Sequence, residues 1–393
     1  MQKMTKKILM GAVLSVGLSS VAFSGDKVAP RSPSYGSVMQ GNAAVDFTVA
    51  DYLSRPNLIG EQQFVSGYGA PGVVNGATSI QAMGMNWFAG MDNTRRPGVA
   101  NSLVRLGVGV GNTFGAGIIY GLNQTKSEVP VTVVGPPVST GKTEVSTQNN
   151  GDEWGVFGSF GFGTMSVFGE FSRETGPAAT VETKTTGVAT VETKNTANNV
   201  TLGFVKDTEG EKSHALAVTA SLVLASAEQG VATDNSTMTL GLNVNHGVPL
   251  VYGDDFAVFF GAIFDIAYRS FEDKVVGASP KEGSATLISL APNVSFQKEI
   301  GKGFEASLGA SANALTWTNT SQVVLFGTPV ANADVSNSTT TSGAGNVSVG
   351  LRWKKDNFSV DGQVATALLT NGPNFISGTT SAMLASVGVA VGF

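Results

Sequence analysis

Residues 103–122, LVRLGVGVGNTFGAGIIYGL, decide the fold class. Between Val104 and Val110 apolar residues alternate with arginine or glycine, and the alternation resumes from Phe114 to Leu122 after Gly111-Asn112. An apolar period of two in a glycine-dense segment is typical of β-strands and argues against a helix. Two residues of this kind between alternating runs form the turn of a hairpin. The stretch therefore predicts an antiparallel hairpin with one apolar face.

The same alternation continues along the chain and predicts an all-β, antiparallel transmembrane barrel of about 14 strands. Pro292 interrupts one strand, where we expect a bulge or bend because proline cannot donate a ladder hydrogen bond. A pairing of 46–53 with 63–68 would give 16 strands instead. The predicted strands are 79–91, 102–110, 113–123, 153–162, 165–172, 199–205, 214–224, 237–246, 256–268, 285–296, 304–317, 345–353, 358–368 and 381–393.

The connections between these strands alternate between short and long. One set has about 2–9 residues and the other about 10–29. Outer-membrane barrels have short periplasmic turns and longer extracellular loops, whereas a soluble sandwich has no reason to sort its loops by end. The long set includes 173–198, where ATVETK occurs twice at a spacing of ten residues, which predicts an extracellular β-ribbon.

The first residues predict secretion. Lys3, Lys6 and Lys7 precede an apolar run and then Ala22-Phe23-Ser24, the pattern of a cleaved signal peptide. We therefore predict a signal peptide at 1–24, an N-terminal periplasmic or lumenal segment at 25–78, and a barrel at 79–393. The expected location is the outer membrane, reached through the periplasm.

The composition narrows the function classes. Only 13% of residues are charged, 42% are hydrophobic, and there are 50 glycines and no cysteine. A charged fraction of about a quarter is usual in soluble domains. Removing three lysines with the signal changes the net charge from −5 to −5 − 3 = −8, which argues against a nucleic-acid partner. The two histidines have neither nucleophile nor metal-ligand spacing around them, so we expect no enzyme activity, metal or cofactor.

Alternation also assigns an inner face to each strand. Small and polar residues dominate that face, and few charges point inward. Charges at such positions tune which ions pass through a channel. The predicted pore-lining charges are Arg105, Glu153, Glu170, Asp265, Glu305, Arg352 and Asp361.

The last strand carries Val387, Val389, Val391 and Phe393 on alternate positions, and Phe393 ends the chain. This pattern resembles the terminal β-signal of Gram-negative outer-membrane barrel proteins. The resemblance implies recognition by the barrel-assembly machinery and insertion into outer-membrane lipid. The chain resembles porins first, for which a homotrimer is an expected assembly, and fatty-acid-transporter barrels second. The Asn-Pro-Ala hatch motif of the fatty-acid-transporter family is missing. The most similar stretch is Arg55-Pro56-Asn57-Leu58.

Deleting Phe393 is expected to lower the amount of protein in the outer membrane, because the closing strand then loses the last residue of its apolar face. Membrane and periplasmic fractions of the deletion variant test this. Unchanged membrane levels would contradict the assembly-signal assignment.

Three hypotheses for function follow. The first is a channel for passive diffusion of small hydrophilic solutes, weakly cation-selective because five inner acids face two inner bases. The second is a transporter of hydrophobic compounds with residues 25–78 as a hatch. The third is a structural or adhesive barrel that displays loops 124–152, 173–198 and 318–344.

Overall fold

The computed structural model describes only part of the chain. These residues are 31, 39–40, 42–44, 53–59, 63–70, 73–92, 102–111, 113–131, 143–183, 191–207, 214–229, 233–253, 255–275, 281–321, 324–325, 328–329, 336–341, 345–364 and 384–392. The predicted signal peptide, residues 46–52 of the proposed extra hairpin, and Phe393 lie outside them. Among the described residues, no helix combines the length and apolar character needed to cross a membrane.

The protein is a closed antiparallel barrel of sixteen strands, which confirms the predicted fold class. Its segments are β1 (Phe64–Ala70), β2 (Val73–Ala82), β3 (Met85–Asp92), β4 (Ser102–Val110), β5 (Phe114–Val131), β6 (Thr143–Phe162), β7 (Met165–Thr183), β8 (Val191–Lys206), β9 (Ala215–Gln229), β10 (Thr233–Tyr252), β11 (Phe256–Val275), β12 (Lys281–Gly301), β13 (Phe304–Ala312), β14 (Leu315–Ser321), β15 (Val324–Leu325), β16 (Thr328–Pro329), β17 (Ser336–Thr341), β18 (Gly345–Lys355), β19 (Phe358–Val364) and β20 (Leu384–Gly392).

Two of the sixteen strands are interrupted. β13 and β14 both pair with β12 and form one strand of the barrel, and β17 and β18 form the next. β15 and β16 form a separate two-stranded sheet. The break between β13 and β14 lies opposite Pro292. We predicted a bulge or bend at Pro292 itself. The irregularity instead occurs in the neighbouring strand, where Asn313 and Ala314 belong to neither β13 nor β14.

The barrel closes where β1 pairs with β20, with Phe64 opposite Gly392. Sixteen is the larger of the two predicted strand numbers, but the added strands differ from the predicted pair. β1 pairs with β2, not with 46–53. Residues 64–70 and 73–78, predicted as part of the N-terminal segment, therefore belong to the barrel wall.

The single strand predicted at 79–91 is a hairpin of β2 and β3. Met83 and Gly84 form its turn with φ of 56° and 74°. Positive φ at both central residues is the geometry of the turn that matches the twist of a hairpin. Methionine rarely adopts positive φ, so the sequence carries no turn signal at this point.

The predicted loops 124–152 and 173–198 are largely β-structure, because β5 to β8 extend far beyond the predicted strand ends. The ATVETK copies meet within this extension. Val181 of the first copy pairs with Val191 of the second, and Thr180 pairs with Glu192. The repeat thus lies in an antiparallel ribbon continuous with the barrel wall.

The apolar side chains face outward. Leu106 is 46% exposed whereas neighbouring Arg105 is 1% exposed. Aromatic residues close to the short turns also lie on the exterior, including Phe114, Phe162 and Phe304. An apolar exterior around a closed sheet suits a hydrocarbon environment, because every backbone group can be hydrogen-bonded within the wall.

Inward phenylalanine rings cover glycines on adjacent strands. A Cβ on Gly107 would lie 2.5 Å from Phe88 Cζ, and a Cβ on Gly117 would lie 2.6 Å from Phe157 Cζ. In each case the phenylalanine and the glycine are direct cross-strand partners. The aromatic ring covers backbone that glycine leaves bare, which gives part of the glycine content a packing role.

Candidate functional site: the lumen and its N-terminal segment

The seven charges predicted for the lumen all lie on the inner face. Arg105, Glu153, Arg352 and Asp361 are each at least 95% buried, and the other three contact inner residues, as given below. Alternation sufficed to place them, because side chains of a strand point alternately to its two faces.

Two ion pairs join neighbouring or nearby strands of the wall. Arg352 Nε lies 3.2 Å from Asp361 Oδ1, between direct cross-strand partners of β18 and β19. Arg105 Nη2 lies 2.8 Å from Glu170 Oε2. Breaking such buried pairs leaves an uncompensated charge, so these residues contribute to the stability of the wall as well as to the lumenal field.

The described residues between 31 and 59 contact the inner wall of the barrel and add charges to its interior. Arg31 Nη1 donates to Glu305 Oε1 at 2.6 Å, and Arg55 Nη1 lies 3.4 Å from Asp207 Oδ1. The sequence predicted five inner acids and two inner bases, a difference of 5 − 2 = 3. Adding Arg31, Arg55 and Asp207 to the seven predicted charges gives six acids and four bases, a difference of 6 − 4 = 2. Glu174, the cross-strand partner of Glu153, and Arg269, on the same face of β11 as Asp265, also occupy inward positions, so the described interior keeps a small excess of acids.

We call the described residues of 31–44 the polar arm, since hydrogen bonds attach it to the wall of β12, β13 and β18. Asn42 Nδ2 donates to Asn293 Oδ1 at 2.7 Å, and Ser295 Oγ donates to the Met39 carbonyl at 2.8 Å. Gln40 Nε2 donates to Ser348 Oγ at 2.8 Å, and Ser311 Oγ donates to Gln40 Oε1 at 2.7 Å.

A pair of glycines receives the polar arm on the wall of β10 and β11. Gly247 and Gly261 are cross-strand partners. A Cβ on Gly261 would lie 2.6 Å from Asn42 Nδ2, and a Cβ on Gly247 would overlap Asn42 Oδ1. These glycines form a notch in which only a bare backbone leaves room for the asparagine side chain.

We call Leu53–Ile59 the apolar arm, since it packs against the wall of β1 to β6. Leu53 and Ile59 are buried in one cluster with Phe64, Ala77, Phe88, Ile119 and Phe157. Pro56–Ile59 forms a 3₁₀ turn. Burying a leucine or isoleucine side chain stabilises by about 1.5–3 kcal/mol, so the burial of Leu53 and Ile59 holds this arm against the wall.

Specific polar contacts set the position of the apolar arm. Asn86 Nδ2 donates to the Ile59 carbonyl at 2.7 Å, and Ser159 Oγ accepts from the Asn57 N–H at 2.9 Å. Arg105 Nη1 lies 3.4 Å from the Leu53 carbonyl oxygen. Arg105 therefore links the arm to the wall ion pair with Glu170.

Both arms lie toward the short-turn end of the barrel. Asn86 closely follows the turn at Met83, Ser159 closely precedes the turn at Gly163, and Glu305 closely follows the turn at Lys302. The two arms thus contact different parts of the wall, the polar arm on β12, β13 and β18 and the apolar arm on β1 to β6. Sequence reasoning named residues 25–78 as periplasmic or lumenal but identified none of these contacts.

Clusters of metal-ligating side chains are absent from the described residues. These residues include no group of three or more histidine, aspartate or glutamate side chains that could hold a metal ion. His214 Nδ1 and His246 Nε2 are 2.8 Å apart and hydrogen-bond to each other. His214 immediately precedes β9, and His246 lies within β10, not at the strand end where the sequence placed it.

No family model and no curated protein matches the chain. Solved barrels do match it. The toluene transporter TodX of Pseudomonas putida aligns over 94% of this chain and 98% of its own, at 10% identity and a TM-score of 0.37. OmpTdeltaL8, a loop L8 deletion mutant of the Vibrio cholerae outer membrane protein OmpT, aligns over 84% and 97%, at 9% identity and a TM-score of 0.31.

The FrpB iron transporter of Neisseria meningitidis aligns over 79% of this chain at 12% identity and a TM-score of 0.38. This chain spans about half the length of that protein, 48%. Because these TM-scores lie below 0.5, the assignment rests on the architecture itself. A closed, even-stranded antiparallel barrel with an apolar exterior is the architecture of outer-membrane proteins. The chain is therefore a multi-pass outer-membrane β-barrel protein of the Gram-negative type.

Proposed function

We propose that this barrel is a non-catalytic channel for passive diffusion of small hydrophilic solutes, narrowed at its short-turn end by the N-terminal segment. The observation that carries the proposal is the polar inner wall beyond that segment. Asn243, Asp265 and Ser289 hydrogen-bond across β10, β11 and β12, and Asn199 donates to Ser172 across β8 and β7. Hydroxyl and amide groups of this kind can exchange their hydrogen bonds with water and with polar solutes.

We further propose weak cation selectivity, centred on Asp265. Among the described contacts, Glu170, Glu305 and Asp361 each pair with an arginine. Asp265 instead accepts from neutral donors, Asn243 Nδ2 at 2.5 Å and Ser289 Oγ at 3.4 Å. Neutral donors orient a carboxylate without cancelling its charge, so its field extends into the lumen and attracts cations.

Asp265→Asn is expected to lower the cation preference, because it removes this charge while keeping the side-chain size. The measurement is the reversal potential of single channels in a planar bilayer under a potassium chloride gradient. Glu282→Gln is the matched control, since Glu282 pairs with Glu272 on the outer face and its loss removes the same charge outside the lumen. Asp361→Asn should also shift the potential, at a cost in stability, because it removes the carboxylate that lies 3.2 Å from buried Arg352. A wild-type channel that prefers chloride would contradict the proposal.

A second candidate is a transporter of hydrophobic compounds, with the N-terminal segment as a hatch. The buried cluster between the apolar arm and the wall favours it, because Phe88, Ile119 and Phe157 would give an apolar inner surface if the arm moved. Bilayer conductance separates the two candidates. A large, stable current supports the diffusion channel, whereas closed barrels that retain detergent or lipid inside support the transporter.

A further inference from the structure

The outer face of β8 to β12 changes from apolar to polar at one level. On β10 the outward side chains change from Leu242 and Leu240, which are 36% and 43% exposed, to exposed Ser236. On β11 the change falls between Tyr268 and Ser270. Met238, the last apolar outward residue of β10, is the cross-strand partner of Ser270, the first polar one of β11, so the two strands change within one outward position of each other. This level is the edge of the apolar exterior on the long-loop side, which faces the outer leaflet in barrels of this kind.

A cavity of about 930 Å³ lies at this edge. Leu224, Met238 and Tyr268 line its apolar side, and Ser226, Ser236 and Glu272 line its polar side. These six residues have the same parity as outward-facing Leu240 along their paired strands. Eleven of the fifteen lining residues share this outward parity, so the cavity lies mainly on the outside of the barrel. Its volume falls in the range of sites for small ligands, about 300–1,000 Å³.

The polar side of the cavity offers hydroxyl and carboxylate groups. Thr196 Oγ1 and Ser226 Oγ hydrogen-bond at 2.6 Å, and Glu272 stands directly across from Glu282. The described lining includes neither lysine nor arginine. Carboxylates accept hydrogen bonds from hydroxyl groups but repel phosphate and sulfate, so the chemistry disfavours an anionic head group and suits a polyhydroxylated one.

We propose that this cavity binds an amphiphile of the outer leaflet through an uncharged sugar head group. The sugar hydroxyls donate to Glu272 and Glu282 and exchange hydrogen bonds with Ser226, Ser236 and Thr196. The hydrocarbon tail runs along Leu224 and Tyr268 toward the apolar exterior. This site fixes the barrel relative to the membrane edge, and it does not depend on what passes through the lumen.

The test uses dodecyl maltoside as the probe and the full-length barrel, exchanged into an amphipol. Native mass spectrometry counts the maltoside molecules that remain after activation strips loosely bound ones. We expect one retained molecule on the wild type. Ser226→Trp, which fills the cavity, should reduce its affinity roughly tenfold, equivalent to about 1.4 kcal/mol. Ser338→Trp, at an exposed serine of β17, is the matched control and should leave retention unchanged.

Dodecyl phosphate, with the same tail and an anionic head, separates head-group recognition from tail adsorption. We expect it to be retained more weakly than the maltoside. Equal retention of the two amphiphiles, or equal maltoside retention by Ser226→Trp and wild type, would overturn the proposal. The heat-dependent gel mobility of each variant shows that its barrel is folded. Channel conductance is measured separately, so a failure here leaves the diffusion-channel proposal standing.

Discussion

Replacing Gly203 with alanine is expected to destabilise the barrel by about 1–3 kcal/mol, the usual cost of overpacking. A Cβ at this position would overlap the ring of Phe168, its direct cross-strand partner. Both residues lie on the inner face of the wall. The midpoint of urea unfolding, followed by the heat-dependent gel mobility of the barrel, measures the loss.

Replacing Phe168 with alanine, which removes the ring, provides the control for this prediction. In the double variant Gly203→Ala with Phe168→Ala, the overlap is gone, so the double variant should lose less stability than the two single variants together. Gly155→Ala should not be rescued in this way, because its Cβ would meet the backbone oxygen of Phe171 and lie 2.9 Å from the Cα of Ser172. If the stability loss of the double variant equalled the sum of the two single losses, the Phe168 ring would not constrain the residue at position 203.

Deleting residues 31–59 is expected to raise single-channel conductance severalfold. A sixteen-strand barrel is wide enough to enclose an aqueous channel, and the polar and apolar arms occupy its short-turn end. The deletion removes both arms while β1, which begins at Phe64, remains to close the barrel. Conductance in a planar bilayer, compared with wild type at the same salt concentration, is the measurement.

The same deletion should lower stability, because Phe88, Ile119 and Phe157 lose the packing of Leu53 and Ile59. A milder variant, Asn42→Ala, tests the contribution of the polar arm by itself. It removes the hydrogen bond to Asn293 and leaves the apolar cluster intact, so it should increase current fluctuations more than it lowers stability. Unchanged conductance after the full deletion would show that the N-terminal segment does not narrow the permeation path.

The sequence by itself determined the barrel class and the side to which most wall residues point. Period-two alternation is a local property, so Arg105 and Leu106 could be assigned to opposite faces without any knowledge of their neighbours. The turn at Met83 was not predicted, because its conformation depends on strand pairing and not on local sequence. A methionine with positive φ has no sequence signature, and only the pairing of β2 with β3 and of β1 with β20 fixes it there.

Tertiary structure alone decided what fills and charges the lumen. Arg31 meets Glu305 across 274 residues of sequence, and Asn42 meets Asn293 across 251. No periodicity encodes such contacts, because they depend on strand register and on how the segment folds back into a closed barrel. The contact between the Phe168 ring and Gly203 also depends on strand register. A shift of one residue between β7 and β8 would place the ring against another residue. Alternation therefore fixed which residues face inward, and closure of the sheet fixed which of them are neutralised.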